Sequence, residues 1–113
     1  MRIFRKEINP YAVSDKVVFR NVDKTLTLYV RADAAALVVG LKQAQEKLNA
    51  LTDGSDECQR VNAARFFARA VFGDDQGDKL VDFYNEPLAV VSAVGQYFDK
   101  QLKYKITKAQ KRK

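Results

Sequence analysis

Four aspartates, Asp74, Asp75, Asp78 and Asp82, are the nearest this chain comes to side chains spaced for chemistry. Clustered carboxylates could hold calcium. A calcium loop, however, takes ligands from its first, third, fifth and twelfth positions and needs glycine at the sixth. Counting from Asp74, the third position is Gln76, glycine falls fourth at Gly77, and the twelfth is Asn85 rather than glutamate. Helix capping and the favourable placement of negative charge at a helix N-terminus account for the acids without a metal.

Absences narrow the rest. The 113 residues include no histidine and one cysteine, Cys58. A Ser/His/Asp or Cys/His arrangement is therefore impossible within the chain, and so are the usual structural zinc sites. The five glycines are scattered, and none opens a phosphate loop. Acids are present, so a catalytic carboxylate pair stays open, but nothing distinguishes any two of them. A single cysteine permits no internal disulfide and fits a reducing compartment.

Charge is distributed unevenly. Residues 1–31 carry seven basic and three acidic groups, residues 32–99 six and eleven, and residues 100–113 seven and none. The formal net charge of +6 thus belongs to the C-terminal end of an otherwise near-neutral body with an acidic middle. Such an end suits three roles: a solvated extension, a nucleic-acid arm, or a surface for acidic proteins. Only Phe98 and Tyr104 interleave with the cations, and no stacking platform or recognition helix is evident. Nucleic acid is therefore the weaker expectation, and a solvated end the commonest outcome.

These residues must be positioned by one domain. A chain of 113 residues buries roughly 65% of its unfolded surface, enough for one core. The longest near-apolar run, Ala34 to Leu41, is far shorter than the roughly twenty residues a bilayer requires. MRIFRKEINP has no apolar segment after its charges, so no secretion signal is expected.

Lys16–Val22 and Thr25–Arg31 are β-branched and aromatic runs around Asp23-Lys24, which predicts a hairpin. In the second run Leu26, Leu28 and Val30 alternate with Thr25, Thr27, Tyr29 and Arg31, giving one buried face. A lone hairpin is marginal in water, so helices, or a third strand from Ile3 to Ile8, should cover that face.

From Asp33, a candidate N-cap, the period becomes helical through Leu37, Leu41, Ala44, Leu48 and Leu51, stopping at Asp53-Gly54. Ser55 is the expected cap of a second helix lined by Val61, Ala64, Phe67 and Val71, widened by Phe66 and Phe72. Gly73 should end it. Asp74 or Asp75 then caps a short third helix carrying Leu80, Phe83 and Tyr84, and Asn85 with Pro87 starts a fourth. That last helix has two apolar stripes: Leu88, Val91, Gly95, Phe98 and Leu102, and beside them Val90, Val94, Tyr97 and Tyr104. The expected fold is α+β and mostly α: an N-terminal β-hairpin, with three strands as the alternative, followed by about four helices. Residues 1–104 form one domain and 105–113 a basic, flexible tail. Deleting such a tail would change stability by no more than about 0.5 kcal/mol.

Phe66 to Lys113 resembles the second half of tail assembly chaperones from long-tailed phages and prophages of Gram-positive bacteria. The likeness lies in an aromatic helix ending Phe72-Gly73-Asp74, the stretch Asp78 to Tyr84, and an apolar helix leading through Gln96-Tyr97-Phe98 into Lys105-Ile106-Thr107-Lys108-Ala109-Gln110. It implies a non-enzymatic protein of viral morphogenesis, with no catalytic residue, metal or cofactor, that in the host bacterial cytoplasm binds the tape measure protein and helps bring tail tube subunits to it. A nucleic-acid-binding phage accessory protein and a structural head or tail connector are the alternatives, and self-association is left open.

For a chaperone, the partner would be a long amphipathic helix seated in an apolar groove. Phe66, Phe67, Phe72, Tyr97 and Phe98 are the rings expected to line it, although plain core is the competing use of the same rings. Lys103, Lys105, Lys108, Lys111 and Arg112 would steer acidic segments of the partner, at a rate that falls with salt.

Overall fold

The structure, a computed structural model, describes residues 12–111. Strand β1 (Ala12–Asn21) and strand β2 (Lys24–Asp33) form a two-stranded antiparallel sheet. Four helical stretches follow: α1 (Ala34–Asn49), α2 (Glu57–Phe72), α3 (Asp74–Tyr84), and a rod made of α4 (Pro87–Tyr97), a π-helical turn (Phe98–Leu102) and α5 (Lys103–Gln110). The expected α+β, mostly helical class is thus observed. The third strand expected at Ile3 to Ile8 lies outside the described residues.

Strand alternation works as the residue types dictate. Val13, Val17, Phe19, Leu28 and Val30 are buried, while Lys16, Val18, Thr27 and Tyr29 point to the open face. Phe19 pairs with Leu26 and Val17 with Leu28, a register that puts Val22 and Asp23 in the loop, one residue earlier than expected. Val22 there has φ 60°, a left-handed value that is costly for a β-branched residue. β2 passes into α1 without a loop, because Asp33 at the N-cap keeps extended angles.

Three caps differ from the sequence expectation: Gly73 occupies the N-cap of α3, with Asp74 and Asp75 inside its first turn instead of capping it. Asp56, not Ser55, caps α2, accepting from the Gln59 N–H at 2.8 Å while the Gln59 side chain accepts from the Asp56 N–H at 2.8 Å. Two donors are satisfied reciprocally, which Ser55 could not match, because its own N3 position is Cys58. Ser55 Oγ instead accepts from the Thr52 N–H. Likewise Asn85 closes α3 in the left-handed conformation, φ 52°, and Glu86 caps α4 by accepting from the Leu88 N–H at 2.8 Å, with Pro87 in the first turn.

The core lies between the hairpin's inner face and the helices. Leu28, Val30, Leu37, Leu80, Val90, Val94 and Leu102 are its largest fully buried side chains. Through it runs a chain of rings: Tyr84 and Phe19 edge-on at 6.4 Å, Phe19 and Phe72 edge-on at 5.6 Å, and Phe72 stacked on Tyr97 at 5.9 Å. α2 and α3 meet through Gly77, where an added Cβ would lie 2.7 Å from the Arg69 backbone. Gly77→Ala is expected to force the helices apart and cost about 1 to 3 kcal/mol in denaturant unfolding.

The largest departure concerns the basic end. Val90, Val94 and Tyr97 are buried at helical spacing, but the next buried residue is Leu102, followed by Ile106 and Ala109. The step of five from Tyr97 is one residue more than an α-helix accommodates on one face, and the π turn absorbs it. Ile106 and Ala109 therefore reach the core, each only 6% exposed. Residues 105–110 are folded helix, and the domain does not end at residue 104. Deleting residues 105–113 should consequently lower stability by about 2 kcal/mol or more in chemical denaturation, the scale of burying an isoleucine side chain.

Candidate partner-binding groove

On β1, position 15 has the parity of Val13, Val17 and Phe19, so Asp15 points to the core side. Its side chain is 14% exposed. Three groups compensate the carboxylate. The Tyr97 hydroxyl donates to Oδ2 at 2.7 Å, the Lys16 N–H donates to Oδ1 at 2.9 Å, and Lys105 Nζ lies 3.7 Å from Oδ1. Burial, and after it the hydrogen bond to Asp15 and that residue's charge, raise the Tyr97 phenol above its ordinary value.

This node fastens the rod to β1. On one side of it is a cavity of about 320 Å³ whose lining includes Val18, Arg20, Tyr84, Tyr97 and Lys100. On the other is one of about 170 Å³ between Ala12, Val13, Ser14 and Lys105, Lys108, Ala109. Both border β1 on one wall and the helical rod on the other, a groove interrupted by the Asp15–Lys105 pair. Among the described residues, Lys16, Arg20, Lys100 and Lys108 have no ion-pair partner.

The ten residues singled out by sequence are dispersed by the fold. Phe72 and Tyr97 stack inside the core, and Phe67 and Phe98 are half-buried against it. Phe66 lies apart, under Lys47 Nζ at 4.9 Å, in a hollow with Leu51 and Ala63 between α1 and α2. The five rings therefore line no common groove. Ala63, Ala64 and Ala68 take the core side of α2 and draw Phe72 in with them, which leaves Phe66 outward. Lys103 sits over the Tyr104 ring at 5.3 Å, Lys105 pairs with Asp15, Lys108 lines the smaller cavity, and Lys111 is exposed. Arg112 lies outside the described residues.

Asp15, Lys16, Arg20 and Lys100 were not singled out by sequence. A signal for Asp15 was available: an acid at an inward strand position requires a partner. The acidic run is also put to use. Asp78 takes a two-pronged contact from Arg69, Nε at 2.8 Å and Nη2 at 2.7 Å, and a third from Arg65 at 3.1 Å, so it ties α3 to α2. The Arg69 contact, assisted by Arg65, holds the Asp78 carboxyl below its usual range. Among the described residues, no three histidine, cysteine or acidic side chains converge as a metal site, and no helix is long and apolar enough to cross a membrane.

No protein-family model matches the chain, and neither a curated protein nor a solved structure matches it.

Tyr97 supplies a pH test. Because its folded value is raised, the contribution of the neutral phenol is complete below the unfolded value, about pH 10, and is lost as pH rises towards the folded one. Tyr97→Phe should cost about 1 to 3 kcal/mol near neutrality by depriving Asp15 of a donor. Thermal melts between pH 7 and 11 should also show a flatter alkaline limb for the variant.

Proposed function

We propose that this chain is a tail assembly chaperone-like protein of a long-tailed phage or prophage, acting in the host bacterial cytoplasm. It binds the tape measure protein and helps recruit tail tube subunits. The observation that carries the reading is the groove between β1 and the C-terminal rod. The wall formed by the rod belongs to the segment, residues 66–113, in which the resemblance resides.

A shallow groove flanked by unpaired cations is suited to holding polypeptide. Arg20, Lys100 and Lys108 can attract acidic stretches of a partner, and Tyr97 and Val18 offer apolar contact. Of the rings expected to form an aromatic cradle, Phe66, Phe67, Phe72, Tyr97 and Phe98, Tyr97 alone borders the groove, so the cradle as such is not part of this mechanism. In the proposed role binding keeps an aggregation-prone partner soluble without any chemical step.

Co-expression with the tape measure protein encoded beside this chain tests the reading. The soluble fraction of that protein should rise several-fold when this chain is present, and Lys100→Glu/Lys108→Glu should reduce the gain. An equally insoluble tape measure protein with and without this chain would refute the role.

A further inference from the structure

β1 is an edge strand, and its hydrogen-bonding pattern shows which backbone groups face outward. Gln76 bonds both backbone groups of Tyr29, accepting from its N–H at 2.9 Å and donating to its carbonyl at 2.7 Å, so Tyr29 faces away from β1. Tyr29 pairs with Lys16, and alternation then turns the N–H and C=O of Ser14, Lys16, Val18 and Arg20 away from β2. Two of these groups are occupied: the Lys16 N–H by Asp15, and the Arg20 carbonyl by the Tyr84 hydroxyl at 2.9 Å. Val18 lies between them, and among the described residues neither of its outward backbone groups has a partner. The larger cavity opens beside it.

We infer that the edge of β1 at Val18 binds an extended, acidic segment of a partner protein by strand addition. The N–H and C=O of Val18 would form the central pair of hydrogen bonds, which gives affinity for any extended chain. Selectivity comes from the two faces. Partner residues opposite Lys16, Val18 and Arg20 share the open face, where unpaired cations flank an apolar residue and favour acidic side chains. The alternate partner residues point inward, where Ala93 and Tyr97 offer an apolar wall.

A second copy of this chain is a poor occupant. Antiparallel self-pairing centred on Val18 would put Lys16 opposite the partner's Arg20, and the reverse, setting like charges across the new ladder. Acid on the added strand removes that conflict. The site goes beyond the chaperone role and does not rest on it, since it is defined by the strand edge and its charges whatever the partner's source.

A capped nine-residue peptide of alternating glutamate and valine, titrated into the full-length, isotope-labelled chain, tests the inference by amide NMR. Saturable shifts centred on Val18, with slowed exchange of its N–H, are expected. Lys16→Glu/Arg20→Glu should weaken binding at least tenfold and should bind the lysine–valine counterpart in preference. Val18→Pro removes the edge donor without touching the β1–β2 ladder and should abolish binding; because proline risks unfolding the hairpin, the charge-reversed variant, altered only at exposed positions, provides the decisive arm. The inference is overturned by the absence of saturable shifts at Val18, by binding indifferent to charge reversal, by peptide-independent self-association through this edge, or by displacement of the peptide from Val18 by single-stranded oligonucleotide.

Discussion

A step of five residues between Tyr97 and Leu102 decides which side of the C-terminal rod meets the core. Had the helix continued in α register from Val90, Val94 and Tyr97, Gln101, Lys105 and Lys108 would have followed on the buried side. Burying those amines unpaired would cost more than the segment could return. The π turn inserts the extra residue, so Leu102, Ile106 and Ala109 face inward and the lysines turn towards solvent or the groove. Core packing, the Asp15–Lys105 contact and the groove beside β1 all depend on that one rotation.

Around the rod, the remaining contacts work as a set. The hairpin cannot stand alone, and the ring chain from Tyr84 through Phe19 and Phe72 to Tyr97 fixes its inner face to α2, α3 and the rod. Asp15 and Tyr97 add a polar attachment at the rim of that core, where both partners are satisfied. Gln76 covers the middle of the β2 edge by imitating a neighbouring strand. The two edges of the hairpin thus differ, one covered at its centre by the protein's own amide and the other, among the described residues, left open at Val18.

Much of this was legible in the residues. The period-two pattern of Leu26, Leu28 and Val30 and the helical spacing of Leu37, Leu41 and Ala44 each reflect one dominant force, burial of an apolar face, and both elements form as expected. Choices between near-equal local options were less legible. Ser55 and Asp56 are both good caps, and Gln59, three residues after Asp56, is the residue that decides. Beyond Tyr104 the rod is illegible from regular α spacing, because the π turn shifts the buried face and only then do Ile106 and Ala109 in a lysine-rich run reach the core. The groove was illegible for a different reason: its two walls are separated by some eighty residues of sequence, as the Asp15–Tyr97 contact shows.

The basic groups between residues 100 and 111 consequently belong to a folded rod and not to a solvated tail. Some decorate a packed helix, held in place by Ile106 and Ala109, and their positions are therefore fixed relative to β1. A fixed array of cations can select a partner's spacing, which a solvated tail cannot do. That packing is tested most directly by amide hydrogen exchange on the intact chain at neutral pH. The Ile106 and Ala109 amides should be protected to a degree comparable with Val94 in α4; exchange at unstructured-peptide rates across residues 103–110, with α4 still protected, would contradict it.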